Sequence, residues 1–147
     1  MSLDEQSLRA VVAGVVGGII AMWVCSRVSP CVPTRHNRET AVQLLQENRW
    51  SIRIANLSFF LGLCLGIAAY RLGYFDSGDW RGFALGGGGG CLCALLSIPM
   101  QARLAGRDVS EAFAAFAMSQ RTPPLLLYGV LALGVGGFCA AGATFFS

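Results

Sequence analysis

Charged residues are scarce in this sequence, and lysine is missing altogether. Charged side chains make up 13% of the 147 residues, and all 11 basic residues are arginine. A soluble domain of this length has about a quarter of its residues charged, so the composition argues against an ordinary soluble fold. The net charge of +3 is small and long apolar segments separate the arginines. We therefore predict no nucleic-acid partner.

The residues that catalysis and ion transport use are also few. The one histidine, His36, lies in a polar loop, and only Cys31 stands near it as a possible second metal ligand. No serine occupies a nucleophile-elbow motif. Proton and cation pathways usually place an ionisable residue inside the membrane, and the apolar segments carry no charge in their middle. We predict a protein that is not an enzyme and binds no cofactor or metal.

The six cysteines do not form a Cys-x-x-Cys motif, and five of them lie in apolar stretches. A buried thiol packs like a small hydrophobic side chain, and this interpretation is favoured. The alternative is a redox pair at Cys91 and Cys93, which requires solvent access and a nearby activating charge.

Four apolar segments, each bracketed by arginine, are long enough to cross a bilayer, which takes about 20 helical residues. They cover residues 10–28, 54–72, 82–100 and 125–146. A cleavable signal peptide begins with a basic region, whereas this chain begins with the acidic pair Asp4 and Glu5. The sequence therefore predicts an all-α integral membrane protein, in which residues 1–147 form a single transmembrane domain with four transmembrane helices.

Arginine placement predicts the orientation. The two long connections, residues 29–53 and 101–124, hold eight arginines together with their borders, and the opposite side holds Arg9, Arg71 and Arg81. Because basic residues in short loops favour the cytoplasmic side, we predict two cytoplasmic connections. Both termini are then outside the cytoplasm, in a multi-pass protein of the bacterial inner membrane.

The four spans are predicted to form two helical hairpins of similar plan, spans one and two and then spans three and four. In each half a proline, Pro30 or Pro99, lies near the end of a span, and an arginine-bearing stretch with an amphipathic helix follows. The pairs Arg38-Glu39 and Arg107-Asp108 occupy equivalent places. A duplication and a generic hairpin plan both explain this similarity.

The two connections are predicted to contain cytoplasmic amphipathic helices. Between Arg38 and Leu72 there is no proline and no glycine before Gly62, which predicts one continuous helix of about 35 residues, roughly 50 Å long, projecting from the membrane. In the second connection, apolar residues recur on one helical face from Val109 to Ala117. The favoured interpretation is a helix in the headgroup layer, and the alternative is a docking face for a partner.

Small residues spaced by four follow each span, and such faces let two helices approach closely. The predicted helix-packing interface comprises Gly14, Gly18, Gly62, Gly66, Gly82, Gly86, Gly90 and Gly136. The run from Gly86 to Gly90 offers small residues on every side. It favours packing against more than one neighbour, in a homo-oligomer or with other membrane subunits. Internal packing of a single four-helix bundle is the alternative.

Polar side chains near the membrane give two further expectations. The arginines Arg35, Arg38, Arg49 and Arg53 are candidates for contact with anionic lipid headgroups, although the same cluster is also the ordinary signature of a cytoplasmic loop. Asn56 is a candidate buried polar residue. It is expected to bridge two helices more readily than to line a pore.

These features lead to one principal functional prediction and two alternatives. The principal prediction is a non-enzymatic structural subunit of a larger bacterial inner-membrane assembly, such as a secretion or conjugation machine. The first alternative is a membrane immunity protein that silences a bilayer-inserting toxin. The second is a small oligomeric channel or transporter with Asn56 or Ser97 facing the pore.

Overall fold

A computed structural model describes residues 5–33, 37–74 and 79–145, and this part of the chain is all-helical. The helices are α1 (Glu5–Val28), α2 (Arg38–Glu47), α3 (Arg49–Arg71), α4 (Trp80–Leu104), α5 (Val109–Ser119) and α6 (Pro124–Phe145), with a short 3₁₀ turn at Ser29–Cys31. Four of them, α1, α3, α4 and α6, are long and apolar enough to cross a membrane. The prediction of an all-α chain with four candidate membrane spans is therefore confirmed. Phe146, the predicted end of the last span, lies outside the described residues.

The four long helices form an open row in the order α3, α4, α6, α1. Contacts between small residues show that neighbouring helices are antiparallel. Gly62 faces Gly90 while Gly66 faces Gly86, between α3 and α4. The other contacts are Gly88 with Gly134 and Ala84 with Gly137, between α4 and α6, and Gly14 with Gly136 and Gly18 with Ala132, between α1 and α6. The two central helices are consequently the more buried, with 39% of the α4 span and 33% of the α6 span inside the protein, against 22% for α1 and 11% for α3. The predicted pairing of spans one and two as a hairpin is not confirmed, because α1 and α3 lie at opposite ends of the row.

The antiparallel order defines two ends of the row. The connection end carries Val28, Arg49, Leu104 and Pro124, together with α2 and α5. The turn end carries the start of α1, the end of α3, the start of α4 and the end of α6, where Gln6 Nε2 donates to the Thr144 carbonyl at 3.3 Å. The helices of the two long connections, α2 and α5, thus lie on the same side of the row, where Arg107 donates to the Glu47 carbonyl.

The glycine run of α4 is explained by the central position of this helix. Gly86 and Gly90 pack on α3, while Gly88 packs on α6, where an added Cβ would lie 2.2 Å from the Gly134 carbonyl oxygen. Gly87 alone in the run would place a Cβ in open space. The expectation that the run favours contacts beyond the chain is therefore weakened, because two neighbours of the same chain use most of it.

The continuous helix predicted from Arg38 onwards is wrong, because the chain breaks at Asn48 between α2 and α3. Asn48 has φ −102° and ψ 13°, and its side-chain amide donates to the Leu44 carbonyl at 3.0 Å. Asparagine offers the backbone such local hydrogen bonds in competition with the helix. The Asn48 side chain is buried, so packing against the protein holds the break in place.

The second connecting helix was predicted to cover one apolar face, but the middle of α5 is buried on all its faces within the protein. All six residues from Ala112 to Ala117 are buried, and α5 contacts α1, α2, α3, α4 and α6. Four of the six are alanine, and their small side chains let the surrounding helices close around α5. Asp108 caps this helix, as the spacing of Asp108 and Glu111 suggests, and accepts from the Ser110 amide at 2.6 Å.

Candidate helix-binding groove

An apolar groove runs along the outer face of α1 and α6. Its volume is about 1110 Å³. The floor consists of small and apolar residues on one face of α6, at positions i, i+1, i+4, i+5 and i+8, namely Ala132, Leu133, Gly136, Gly137 and Ala140. One wall is formed by α1, and Trp80 of α4 stands at the turn end. The groove therefore results from the open row, which leaves this face of α6 without a covering helix.

Different faces of α1 serve the core and the groove. Ala21, Cys25 and Val28 of α1 belong to the buried core that includes Phe113 and Phe116 of α5. The groove is lined instead by residues one position further on, such as Met22 and Ser26, which lie about 100° around the helix. The large apolar side chains of α1 that face outward are 50–63% exposed: Val11, Val12, Val15, Val16, Ile19, Ile20 and Trp23.

Close backbone contact between α1 and α6 sets the depth of the groove. A Cβ added to Gly14 would lie 3.2 Å from the Ala140 Cβ, and one added to Gly136 would lie 2.8 Å from the Gly14 carbonyl oxygen. A Cβ on Gly18 would meet the Ala132 carbonyl oxygen at 3.6 Å. The predicted packing residues Gly14, Gly18 and Gly136 thus lie together in one interface inside the protein.

The remaining predicted packing glycines lie elsewhere in the row. Gly62 of α3 meets Gly90 of α4, and Gly66 meets Gly86, so closely that a Cβ added to Gly62 or Gly66 would lie 2.5 or 2.2 Å from the facing Cα. Gly82 is buried in the first turn of α4, where its amide donates to the Asp79 carbonyl at 3.3 Å. Gly62, Gly66, Gly86 and Gly90 lie in the contact between α3 and α4, and neither these four residues nor Gly82 lines the groove.

A polar pocket of about 320 Å³ continues the groove at the turn end. The two share Ser7, Ala10 and Trp80, and the pocket adds Gln6, Asp79, Arg81 and Thr144. Arg81 Nη2 lies 2.6 Å from Asp79 Oδ2, with the side chain of Arg81 38% exposed and that of Asp79 12% exposed. Hydrogen bonds from the Arg81 side chain and amide hold the pKa of Asp79 below its usual value. The more accessible charge in the pocket is therefore positive.

Three of the four arginines predicted to contact lipid lie near the connection end, and two of them flank an exposed tryptophan. The Arg53 guanidinium lies 5.2 Å from the centre of the Trp50 ring, and that of Arg49 lies 5.9 Å from it. Arg38 begins α2 and is exposed, and Arg35 lies outside the described residues. The structure brings Arg49 and Arg53 together around Trp50, a pairing typical of cation–π contact at a membrane surface.

Asn56 lies at the contact between α3 and the end of α5. Its Oδ1 accepts from Gln120 Nε2 at 3.2 Å, so the side chain links two elements of the chain. Ser97 is buried and its hydroxyl donates to the Ala94 carbonyl of its own helix at 2.8 Å. Neither polar group lines the groove.

Sequence reasoning missed Trp80, Leu133 and Gly137 as lining residues. Leu133 lies in the middle of an apolar helix and is 80% exposed. The sequence does not indicate which apolar residues of this helix the other helices leave uncovered. The spacing from Ala132 to Ala140 indicated a small face, but not whether another helix of the chain covers it. Among the residues that the structure describes, no group of three histidine, cysteine, aspartate or glutamate side chains is placed to hold a metal ion.

No protein-family model, curated protein or solved structure matches this chain.

Proposed function

We propose that this protein is a non-enzymatic structural subunit of a larger bacterial inner-membrane assembly, of the kind that secretion and conjugation machines represent. The observation that carries the proposal is the groove on α1 and α6. In the part of the chain that the structure describes, this groove has the length and the apolar lining that suit a transmembrane helix of another subunit.

The length of the groove favours a helix over a lipid chain. Its α1 wall extends from Ser7 to Ser26, a separation of 19 residues and about 28 Å at 1.5 Å per residue. This matches the hydrocarbon thickness of a bilayer, about 30 Å. A lipid acyl chain occupies one leaflet, roughly half of that thickness, whereas a transmembrane helix occupies all of it.

The groove floor also favours a helix. Lipid offers little hydrophobic drive for helices to associate, so close packing on small residues provides the stabilisation. Gly137 of the floor has room for a Cβ, with only the Ala84 Cβ within 4 Å, at 3.7 Å. Its lack of a side chain is thus not required by packing inside the protein, and it leaves space for an incoming helix.

The topology that accompanies this proposal has both connections in the cytoplasm and both termini outside. The packing of α2 against α5 supports it, since both arginine-rich connections lie at the same end of the row. Trp23 and Trp50 also lie toward that end with their rings against arginine, as expected of an interfacial belt.

The proposal is tested by the size of the native complex in a mild detergent. Leu133→Trp fills the groove from its floor, and Leu61→Trp is the matched control, since Leu61 is 62% exposed on α3 at the far edge of the row. The wild type and Leu61→Trp are expected to migrate in a complex much larger than the 15.6 kDa chain, and Leu133→Trp in a smaller one. A wild-type chain that migrates alone, or a complex unchanged by Leu133→Trp, would overturn the proposal.

A further inference from the structure

We infer that the helix received by the groove is α1 of a second copy of this chain, so that two copies form a reciprocal dimer. This inference rests on the proposed function of the groove and names its partner. Three properties of the described residues support it: the size of the groove, the position of the charges at its turn end, and the location of α1 at the edge of the row.

The size of the groove fits one helix seated to about half its depth. A helix about 10 Å wide and 28 Å long occupies about 2200 Å³, and the groove holds about 1110 Å³. Helix α1 has 24 residues and is thus about 36 Å long, enough to fill the groove with its first turn beyond the membrane core.

The charges at the turn end match this occupant. The first turn of α1 carries Glu5, whose side chain is 77% exposed, and the pocket at the turn end carries Arg81, which is 38% exposed. If a second α1 lies in the groove and runs in the same direction as the first, its Glu5 arrives at this pocket. The Arg81 side chain is more exposed than that of its partner Asp79, so the incoming carboxylate meets a positive charge at this pocket.

The edge position of α1 lets both copies use the same surface. In a two-fold dimer each subunit offers the same patch to the other, and here α1 is both the wall of one groove and the occupant of the other. Its outward face carries apolar side chains that are at least half exposed, including Val12, Val16 and Ile20. A two-fold axis along the membrane normal keeps the two α1 helices in the same direction, as the Glu5–Arg81 contact requires.

The dimer is tested with purified, full-length protein carrying one fluorophore per chain, reconstituted in vesicles of phosphatidylethanolamine and phosphatidylglycerol. Photobleaching in single vesicles is expected to show two steps for the wild type and for Leu61→Trp. Leu133→Trp is expected to weaken the dimer by about tenfold, because an indole in the groove overpacks the interface. A monomeric wild type, or a dimer that survives Leu133→Trp, would overturn the inference.

A charge variant tests the identity and direction of the occupant. Glu5→Arg places a positive charge beside Arg81 of the other copy and is expected to weaken the dimer at least about threefold, and less so at high salt. Arg9→Gln is the control, because it breaks the 2.5 Å ion pair with Glu5 within α1 and leaves Glu5 in place. Equal dimerisation of Glu5→Arg and wild type would overturn α1 as the occupant.

The outcomes separate this inference from the proposed function. If the native complex depends on Leu133 but the purified protein is monomeric, the groove receives a helix of a different subunit and only the dimer is wrong. If the purified protein is monomeric and the Leu133→Trp variant binds less phospholipid than the wild type, the groove is a lipid site. In that case both the helix-binding groove and the dimer are wrong. If the native complex is insensitive to Leu133→Trp, the proposed function fails independently.

Discussion

Two glycine-to-alanine substitutions in α3 and α4 are predicted to change the free energy of unfolding in opposite directions. An alanine at Gly66 would place its Cβ 2.2 Å from the Gly86 Cα and 2.9 Å from the Gly86 amide nitrogen, whereas an alanine at Gly87 would have nothing within 4 Å. Carbon atoms in favourable contact are about 3.5–4.0 Å apart. Gly66→Ala therefore requires the two backbones to separate by about 1.5 Å, since no flexible side chain is there to move aside.

The size of the stability change follows from overpacking for Gly66→Ala and from helix propensity for Gly87→Ala. Overpacking of a close interface costs about 1–3 kcal/mol, so Gly66→Ala is expected to lower the free energy of unfolding by that amount despite the better helix propensity of alanine. Gly87→Ala is expected to raise it by up to about 1 kcal/mol. Gly62→Ala, with 2.5 Å to the Gly90 Cα, is expected to follow Gly66→Ala, and Gly86→Ala, with 3.0 Å to the Gly66 Cα, to cost less.

The assay is reversible unfolding in mixed micelles, followed by circular dichroism as the fraction of denaturing detergent rises. From most to least stable, the expected order is Gly87→Ala, wild type, Gly86→Ala, Gly62→Ala and Gly66→Ala. A Gly66→Ala variant as stable as wild type would refute the close contact of α3 and α4. A loss of stability in Gly87→Ala would refute the open space at Gly87.

Three further predictions concern the ends of helices. Arg121 has φ 55°, a left-handed conformation that costs a residue with a side chain about 1–2 kcal/mol. Arg121→Gly is therefore expected to raise the midpoint of unfolding. An equal rise in Arg121→Ala would show that the left-handed backbone is not the cause. Asp108→Ala is expected to lower the free energy of unfolding by about 1 kcal/mol through loss of the α5 cap, whereas Asp108→Asn, which still accepts hydrogen bonds, should retain most of it. Because the pKa of Asp79 is lowered in the folded protein by Arg81, its contribution to stability is present above the pKa of the unfolded carboxyl and is lost as the pH falls through the folded pKa. Asp79→Asn should then show a flatter loss of stability on acidification than wild type, and parallel curves for the two proteins would contradict this assignment.

The spans were predictable because the signal for each of them is local. A bilayer requires about 20 apolar residues in one helix, and the arginines beside Ile54 and Gly82 bracket such segments without any knowledge of their neighbours. Small residues four apart predicted helix-packing faces, and the structure places Gly62, Gly66 and Gly14 against neighbouring helices. The order of the helices in the row was not predictable, because every span carries a small face and the sequence does not state which faces meet.

The connections show where local patterns are insufficient. The break at Asn48 has no glycine or proline, and it depends on a side-chain hydrogen bond to Leu44 together with burial that only the folded chain supplies. The apolar stripe of α5 predicted one covered face, yet its alanines are covered on the other faces too, because small side chains let five helices surround it. The groove was missed for the same reason, since it depends on the absence of a neighbour over α6.

The central claim, that the groove on α1 and α6 receives a transmembrane helix, is tested most directly by site-specific photocrosslinking in native membranes. A photoreactive residue is placed in turn at Val11, Val15 and Leu133 in the groove, and at Leu57, Leu61 and Leu65 on the exposed face of α3. The account predicts a crosslinked protein product of one defined size from the groove positions and none from α3. Products from α3 alone, or crosslinks to lipid alone from the groove, would contradict it.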